Sequence, residues 1–351
     1  MRDTDIRQRK QDHLDLCASG DVKFRTRDTL LGNVHLVHQA LPELASHDID
    51  LVVTVAGRRL KAPLVIAGMT GGVAEAGAIN RDLAAAAERV GVAVGLGSQR
   101  AMLHHPEVAD TYRVRGVAPT TMVLANLGVV KARQMRTAEV RALCDDVGAD
   151  ALCLHLNVAM ELVQADGDRD FRNAVGTIRR LEEELGLPII VKETGCGLSR
   201  RAATTIASAG VRTVDVGGAG GTSWVGVEAL RAKDPEARAM GEALWDWGIP
   251  TAASVAYCAE AGLEVIATGG IRDGYDVARA LALGARAAGL AAPLLKAQRE
   301  GGVEGVVAAL ETIIRTLRAV MLLCGCRTPG SLALAPRVVV GELRSWLEPG
   351  G

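Results

Sequence analysis

Eight short apolar runs, each leading into a small or polar residue, recur along this chain with helical patterns between most of them. The runs are Pro63–Ala67, Val92–Leu96, Met122–Asn126, Ala151–Leu156, Pro188–Lys192, Arg212–Val216, Glu264–Thr268 and Ala285–Ala291. The helical patterns include Ala78–Val90, Thr137–Val147, Ala174–Leu185 and Gly274–Leu283. Parallel strands need a crossover between them, and helices supply it. Eight strand–helix units therefore predict an α/β chain closed into a (β/α)8 TIM barrel, with a doubly wound open sheet as the alternative. Residues 1–60 read as an N-terminal extension packed on that barrel, and residues 302–349 as C-terminal helices. No linker or low-complexity tract divides 1–351, so the chain reads as a single domain.

In such a barrel, function collects where the strands end. Those ends are Met69-Thr70-Gly71-Gly72, Ser98-Gln99-Arg100, Asn126, His155-Leu156-Asn157, Lys192-Glu193 and Gly217 to Ser223. The last two strands run into Gly269-Gly270 and the Gly289-Leu290 segment. Bare glycine backbone at adjacent strand ends cradles a phosphate. Amides and hydroxyls suit the carbonyls of a flat ring, and Lys192 suits negative charge on it. A lysine at the end of a buried strand is costly unless it serves a purpose. FMN fits this set better than a nicotinamide dinucleotide, because no G-x-G-x-x-G follows the first strand.

The 40 basic and 41 acidic residues are interspersed and give a net charge of −1, so neither nucleic acid nor an anionic membrane is expected as partner. The start of the chain is charged, without the apolar core of a secretory signal, and no run of about 18 apolar residues suggests a membrane span. Seven scattered cysteines suit small core residues in a reducing cytoplasm, not a zinc site. Cys196 reads as inert, the histidines 35, 38, 47, 104 and 105 as structural or surface, and Trp224, Trp245, Trp247 and Trp346 as packing anchors.

The order of several motifs is specific. Arg9-Lys10-x-x-His13, Leu36-Val37-His38 with Ala40 to Leu44, Met69 to Gly72 and Gly97 to Arg100 come first. Ala125 to Gly128, His155-Leu156-Asn157, Val191-Lys192-Glu193 and Asp215 through Trp224 follow. In this series the chain resembles the type 2 isopentenyl diphosphate isomerases, from Arg9 to about Leu295. The resemblance implies an FMN-dependent barrel enzyme that shifts a proton on isopentenyl diphosphate to give dimethylallyl diphosphate. Flavin N5 would be the acid–base, NADPH the reductant, and a homo-oligomer the assembly. It also implies roles. Met69, Thr70, Gly71, Ser98, Asn126, Lys192 and Thr222 would contact FMN, with Gly269, Gly270, Gly289 and Leu290 at its phosphate. Arg9, Lys10, His13, Ser98, Gln99, Arg100, His155 and Asn157 would hold the diphosphate, and Glu161 a bridging Mg²⁺.

The match breaks in one place. Where the family has Pro-Leu-Gln-Glu after His-Leu-Asn, this chain has Val158-Ala159-Met160-Glu161. A later proline is Ala165. Methionine has no exchangeable proton and cannot relay one. Three readings follow: the flavin suffices and Met160 only slows the reaction; Gln164, one helical turn on, supplies the amide; or the enzyme acts on another prenyl diphosphate, for example by protonation-initiated cyclisation. Met160, Gln164 and Lys192 are thus the candidate catalytic positions. A 2-hydroxy-acid oxidoreductase on the same barrel is the other class, though such an enzyme needs no diphosphate clamp.

Overall fold

A computed structural model describes residues 3–19 and 22–348. The remaining few, at the two ends and at 20–21, lie outside that description, including the outermost residues of the segments read as 1–60 and 302–349. Eight parallel strands close into a barrel: β1 (Leu64–Ile66), β2 (Ala93–Gly95), β3 (Val123–Gly128), β4 (Ala151–Leu156), β5 (Ile189–Glu193), β6 (Thr213–Asp215), β7 (Glu264–Thr268) and β8 (Ala287–Leu290). Each pairs with its successor, and β8 returns to β1 through Gly289 opposite Val65. All eight predicted strands form, and the open-sheet alternative falls.

The two-residue period of a strand decides what the barrel encloses. Val65, Ala93, Leu124, Cys153, Ile190, Ile266 and Ala287 point inward and pack as one apolar cluster. Below them the hairpin Val53–Val55/Arg58–Leu60 closes the barrel floor, with Val53, Val55 and Leu60 in the same cluster. Two residues further up six of these strands, and four further up β2, lie the strand-end positions of a ring that Gly217 completes after β6. That ring is Ala67, Gly97, Asn126, His155, Lys192, Gly217, Thr268 and Gly289, and all eight line one cavity.

Four helices matter for the cavity. The first, α1 (Asp3–Ser19), lies in the N-terminal extension. Helices α2 (Val158–Val163) and α3 (Trp224–Arg231) follow β4 and the loop after β6. Helix α4 (Ala292–Leu323) follows β8 and kinks at Gly301-Gly302, where Gly302 has φ 55°. The segment expected to be purely helical also holds a strand, Arg337–Val339, paired antiparallel with Val34–Leu36. Its β-branched run Val338-Val339-Val340 favours an extended chain. Among the described residues no helix is long and apolar enough to cross a membrane.

Candidate functional site

The cavity at the C-terminal mouth of the barrel measures about 880 Å³. Its floor is the ring just described. Lys192 Nζ donates to Asp215 Oδ2 at 2.8 Å, and both residues are buried. Asp215 points inward from β6, opposite Lys192 in the strand register, and also accepts Gly217 N–H at 3.1 Å. The lysine is therefore held upright by a partner that sequence reasoning passed over. The polar residue there precedes Val216, which hid it among strand residues.

Beside Lys192, His155 Nδ1–H donates to Asn126 Oδ1 at 2.8 Å. The direction follows from Asn126, whose Nδ2 donates to Leu96 O at 3.0 Å, leaving its oxygen as acceptor. Burial, reinforced by Lys10, Lys192 and Arg100, pushes His155 down to about 3. The ring is thus neutral with its proton on Nδ1. Gly128 makes room for it, since a Cβ there would sit 2.9 Å from His155 Nε2.

Helix α1 crosses the cavity and contributes Arg9, Lys10 and His13. Burial and the neighbouring Arg9 push Lys10 down to about 8. Burial likewise lowers Arg9. His13 fastens the helix: its Nε2–H donates to Glu228 Oε1 at 2.7 Å, and its ring meets Trp224 edge-on at 5.2 Å. Burial alone would raise Glu228, but the His13 hydrogen bond and the charges of Arg231 and Arg9 outweigh it and hold the carboxylate low. Arg231 donates to Glu228 Oε2 at 2.7 Å and to Asp12 Oδ2 at 3.0 Å, a second tie between α3 and α1. Trp224 is thus part of the cavity wall as well as a packing anchor.

Helix α2, packed on α3, forms a further part of the wall. Asn157, at its N-cap, donates through Nδ2 to Glu161 Oε1 at 2.8 Å, while Asp168 N–H donates to Oε2 at 2.7 Å. Glu161 is buried with its carboxylate oriented by both bonds. Arg100 stands 3.6 Å from Asp168. Met160 and Gln164 share the wall.

At the far end, Gly269 (φ 114°) and Gly270 (φ 76°) adopt backbone that side chains rarely enter. A Cβ on either would run into the Gly218 and Gly220 carbonyls, so the two strand-end loops touch backbone to backbone. The N-terminus of α4 opens on the same place through Ala291, Ala292 and Pro293, with no side-chain cap. Pro293 has no N–H and Leu294 N–H already donates to Ala291 O at 3.0 Å, so the Ala292 N–H is the one at this helix start left for a ligand.

Of the residues singled out from sequence, Arg9, Lys10, His13, Met69, Thr70, Ser98, Arg100, Asn126, His155, Asn157, Met160, Glu161, Gln164, Lys192, Thr222, Gly269, Gly270 and Gly289 line this cavity. Three do not. Gln99 is fully buried behind it, where Oε1 accepts Asn126 N–H at 2.9 Å and Nε2 donates to Leu143 O at 3.2 Å. Both ends of its amide are thus taken, the oxygen by Asn126 and the nitrogen by Leu143, and neither faces a diphosphate. Gly71 faces away: a Cβ there would overlap the ring of buried Tyr112. Leu290 is 1% exposed and packs into the apolar core. Its neighbours Ala291 and Ala292 take the place expected of it.

Five buried side-chain polar atoms lack a partner among the described residues, and three of them belong to residues of the cavity wall: Arg100 Nε, Gln164 Nε2 and Thr268 Oγ1. Buried polar groups are seldom left unpaired, and here they gather where a polar ligand would satisfy them.

Comparison with known proteins agrees with this geometry. The family model for FMN-dependent dehydrogenases matches residues 159–336. An isopentenyl-diphosphate delta-isomerase of Methanosarcina mazei is 44% identical over 348 residues, covering 98% of this chain and 95% of that protein. The isomerase of Symbiobacterium thermophilum is 46% identical over 355 residues, covering 97% and 95%. Among solved structures, a mandelate oxidase variant carrying an FMN adduct superposes with TM-score 0.66 at 20% identity, over 96% of this chain and 100% of that one. At that identity the likeness speaks for the barrel alone.

Proposed function

This chain belongs to the FMN-dependent, type 2 isopentenyl-diphosphate delta-isomerase family, and from that premise we propose that it converts isopentenyl diphosphate to dimethylallyl diphosphate with FMN and Mg²⁺ bound in the cavity. The carrying observation is the cavity's polarity: Arg9, Lys10 and Arg100 gather at one end, and unpartnered Arg100, Gln164 and Thr268 atoms line the wall. Such a site calls for a multiply charged anion.

The residues present fit both groups. For FMN, the glycine backbone at 269–270 and the uncapped start of α4 receive the phosphate, and the floor ring faces the flavin. Thr268 Oγ1, buried and unpartnered, finds a bonding partner when the cofactor is in place. Lys192, braced by Asp215, would set an ammonium on the cavity floor, where it could stabilise negative charge on a bound flavin. For Mg²⁺, Glu161 offers a pre-oriented carboxylate, and such an ion commonly takes one or two carboxylates with phosphate oxygens.

When bound, reduced FMN, maintained by NADPH, supplies a ring nitrogen, N5, able to give and take a proton. A proton is added at the terminal alkene carbon while another leaves the carbon between the alkene and the CH₂O group, so the double bond moves without net oxidation. Arg9, Lys10 and Arg100 hold the diphosphate, and α1 covers it from water. His155 accepts or donates at Nε2 according to the charge beside it. Met160 places a thioether in the wall and moves no proton. Both proton transfers are thereby assigned to groups other than residue 160.

The experiment is product analysis after anaerobic incubation with FMN, Mg²⁺, dithionite and isopentenyl diphosphate, and separately with geranyl and longer diphosphates. Dimethylallyl diphosphate from the five-carbon substrate is the expected product. A new product from a longer substrate only, with no five-carbon turnover, refutes the isomerase reading and identifies a redirected family member.

A further inference from the structure

Helix α2 turns Met160, Glu161 and Gln164 toward the cavity, positions that lie on one helical face. Gln164 caps the helix in extended backbone (ψ 130°) and is tied down on both sides. Its N–H donates to Met160 O at 3.1 Å, and its carbonyl accepts Gly167 N–H at 3.0 Å and Arg169 Nη2 at 2.9 Å. Arg169 also donates to the Glu161 carbonyl, and Gly167 lies so close to that carbonyl that a Cβ would overlap it. The turn 164–169 is therefore folded hard against α2. Within it the Gln164 side chain is 6% exposed, and its Nε2 has no acceptor.

A buried amide N–H without a partner costs free energy in the ligand-free protein, and an apolar side chain of similar size would remove that cost. Gln164 lines the same cavity as Glu161, three residues back along the wall. Glu161 already takes Asn157 Nδ2 and Asp168 N–H on its two oxygens, and the Met160 sulfur is a weak acceptor. The acceptor for Gln164 must then arrive with the ligand. A prenyl chain carries none, whereas a diphosphate carries several strong ones. Arg100, 3.6 Å from Asp168, marks the same corner as the anion's place.

We propose that Gln164 is a substrate-positioning residue, whose side-chain N–H donates to an oxygen of the diphosphate beside Glu161. This rests on the reading of the cavity as a prenyl diphosphate site. The amide also explains how the wall stays polar next to Met160, and it deals with binding, not with proton transfer.

The test compares wild type, Gln164→Leu and Gln164→Glu by two measurements. The first is urea unfolding of the ligand-free protein. The second is calorimetric binding of isopentenyl diphosphate with Mg²⁺ to the FMN-loaded enzyme, with the FMN Kd taken alongside. Gln164→Leu is expected to unfold at higher urea than wild type and to bind the diphosphate about tenfold more weakly, with FMN affinity unchanged. Gln164→Glu sets a carboxylate against the anion and is expected to weaken binding further. Equal diphosphate binding by wild type and both variants overturns the proposal, as does a loss confined to FMN. A wild type that binds FMN but no prenyl diphosphate overturns the isomerase reading itself, a distinct result.

Discussion

Removing Asp215 should cost far more than removing Asp215 and Lys192 together. Both side chains are buried on the barrel floor, at 6% and 10% exposure, and their bond of 2.8 Å is direct. An ion pair in that setting is held by mutual compensation, and stripping one member leaves a desolvated charge worth about 3–5 kcal/mol. In Asp215→Ala the ammonium loses the one carboxylate bonded to it among the described residues, so that figure applies. In Lys192→Met the carboxylate keeps the Gly217 N–H, and the cost falls to about 2–3 kcal/mol. The double variant, with neither charge, should lie within about 2 kcal/mol of wild type. The cycle then gives a coupling of at least about 3 kcal/mol, and up to about 8, well beyond ordinary non-additivity. Equilibrium urea unfolding of the FMN-free protein, followed by the fluorescence of its four tryptophans, measures all four corners. A double variant as unstable as the sum of the singles refutes the reasoning, because the two charges would then not be compensating one another.

Three further outcomes follow from the same geometry. Binding of the diphosphate should take up protons above pH 8, where free Lys10 (about 8) has lost its charge and an adjacent anion raises it, whereas His155, held at about 3 by burial, stays neutral near pH 7. Calorimetry at about pH 8.5 in buffers of different ionisation enthalpy should therefore show uptake that vanishes in Lys10→Met. Zero uptake by wild type above pH 8 contradicts the site's charge state. Gly71→Ala should destabilise the FMN-free protein by about 1–3 kcal/mol, since the new methyl overlaps Tyr112, itself pinned by its hydroxyl to Ser98 O at 2.9 Å; an unchanged urea midpoint would place Gly71 elsewhere. Glu161→Gln should abolish the stimulation of turnover by Mg²⁺ and raise KM at least tenfold, with FMN affinity intact; retained Mg²⁺ dependence moves the metal to another residue.

What the sequence revealed and what it concealed divide along a physical line. The eight strands were legible because each is buried on both faces and ends abruptly in a glycine or polar residue, as parallel barrel strands must. Once their positions are known, a period of two fixes the floor of the cavity, and Asn126, His155 and Lys192 follow from counting alone. Gln99 was misread because it sits in a tight turn, Gln99–Leu103, where rotation by one residue carries a side chain from the cavity to the core. Ser98 and Arg100 on either side face the cavity. Gly71 looked like room for a ligand when it is room for Tyr112, a contact no local pattern announces. The strand Arg337–Val339 and the bond from His13 to Glu228 are likewise long-range pairings, decided by the folded chain.

The departure at residue 160 takes its meaning from where it falls. Most of the floor ring belongs to strands: Asn126, His155, Lys192, Thr268 and Gly289 are held by the register of their neighbours. Met160 belongs instead to α2, in the cavity wall. Lys192, Asp215, Asn126 and the glycine backbone at 269–270 belong to other elements, so a change at residue 160 leaves their bonds in place. Polarity in that wall is still provided, by Glu161 one residue on and Gln164 one turn on. The barrel thus fixes what the floor can do, while α2 is where a relative of the same fold can alter its substrate without rebuilding the rest.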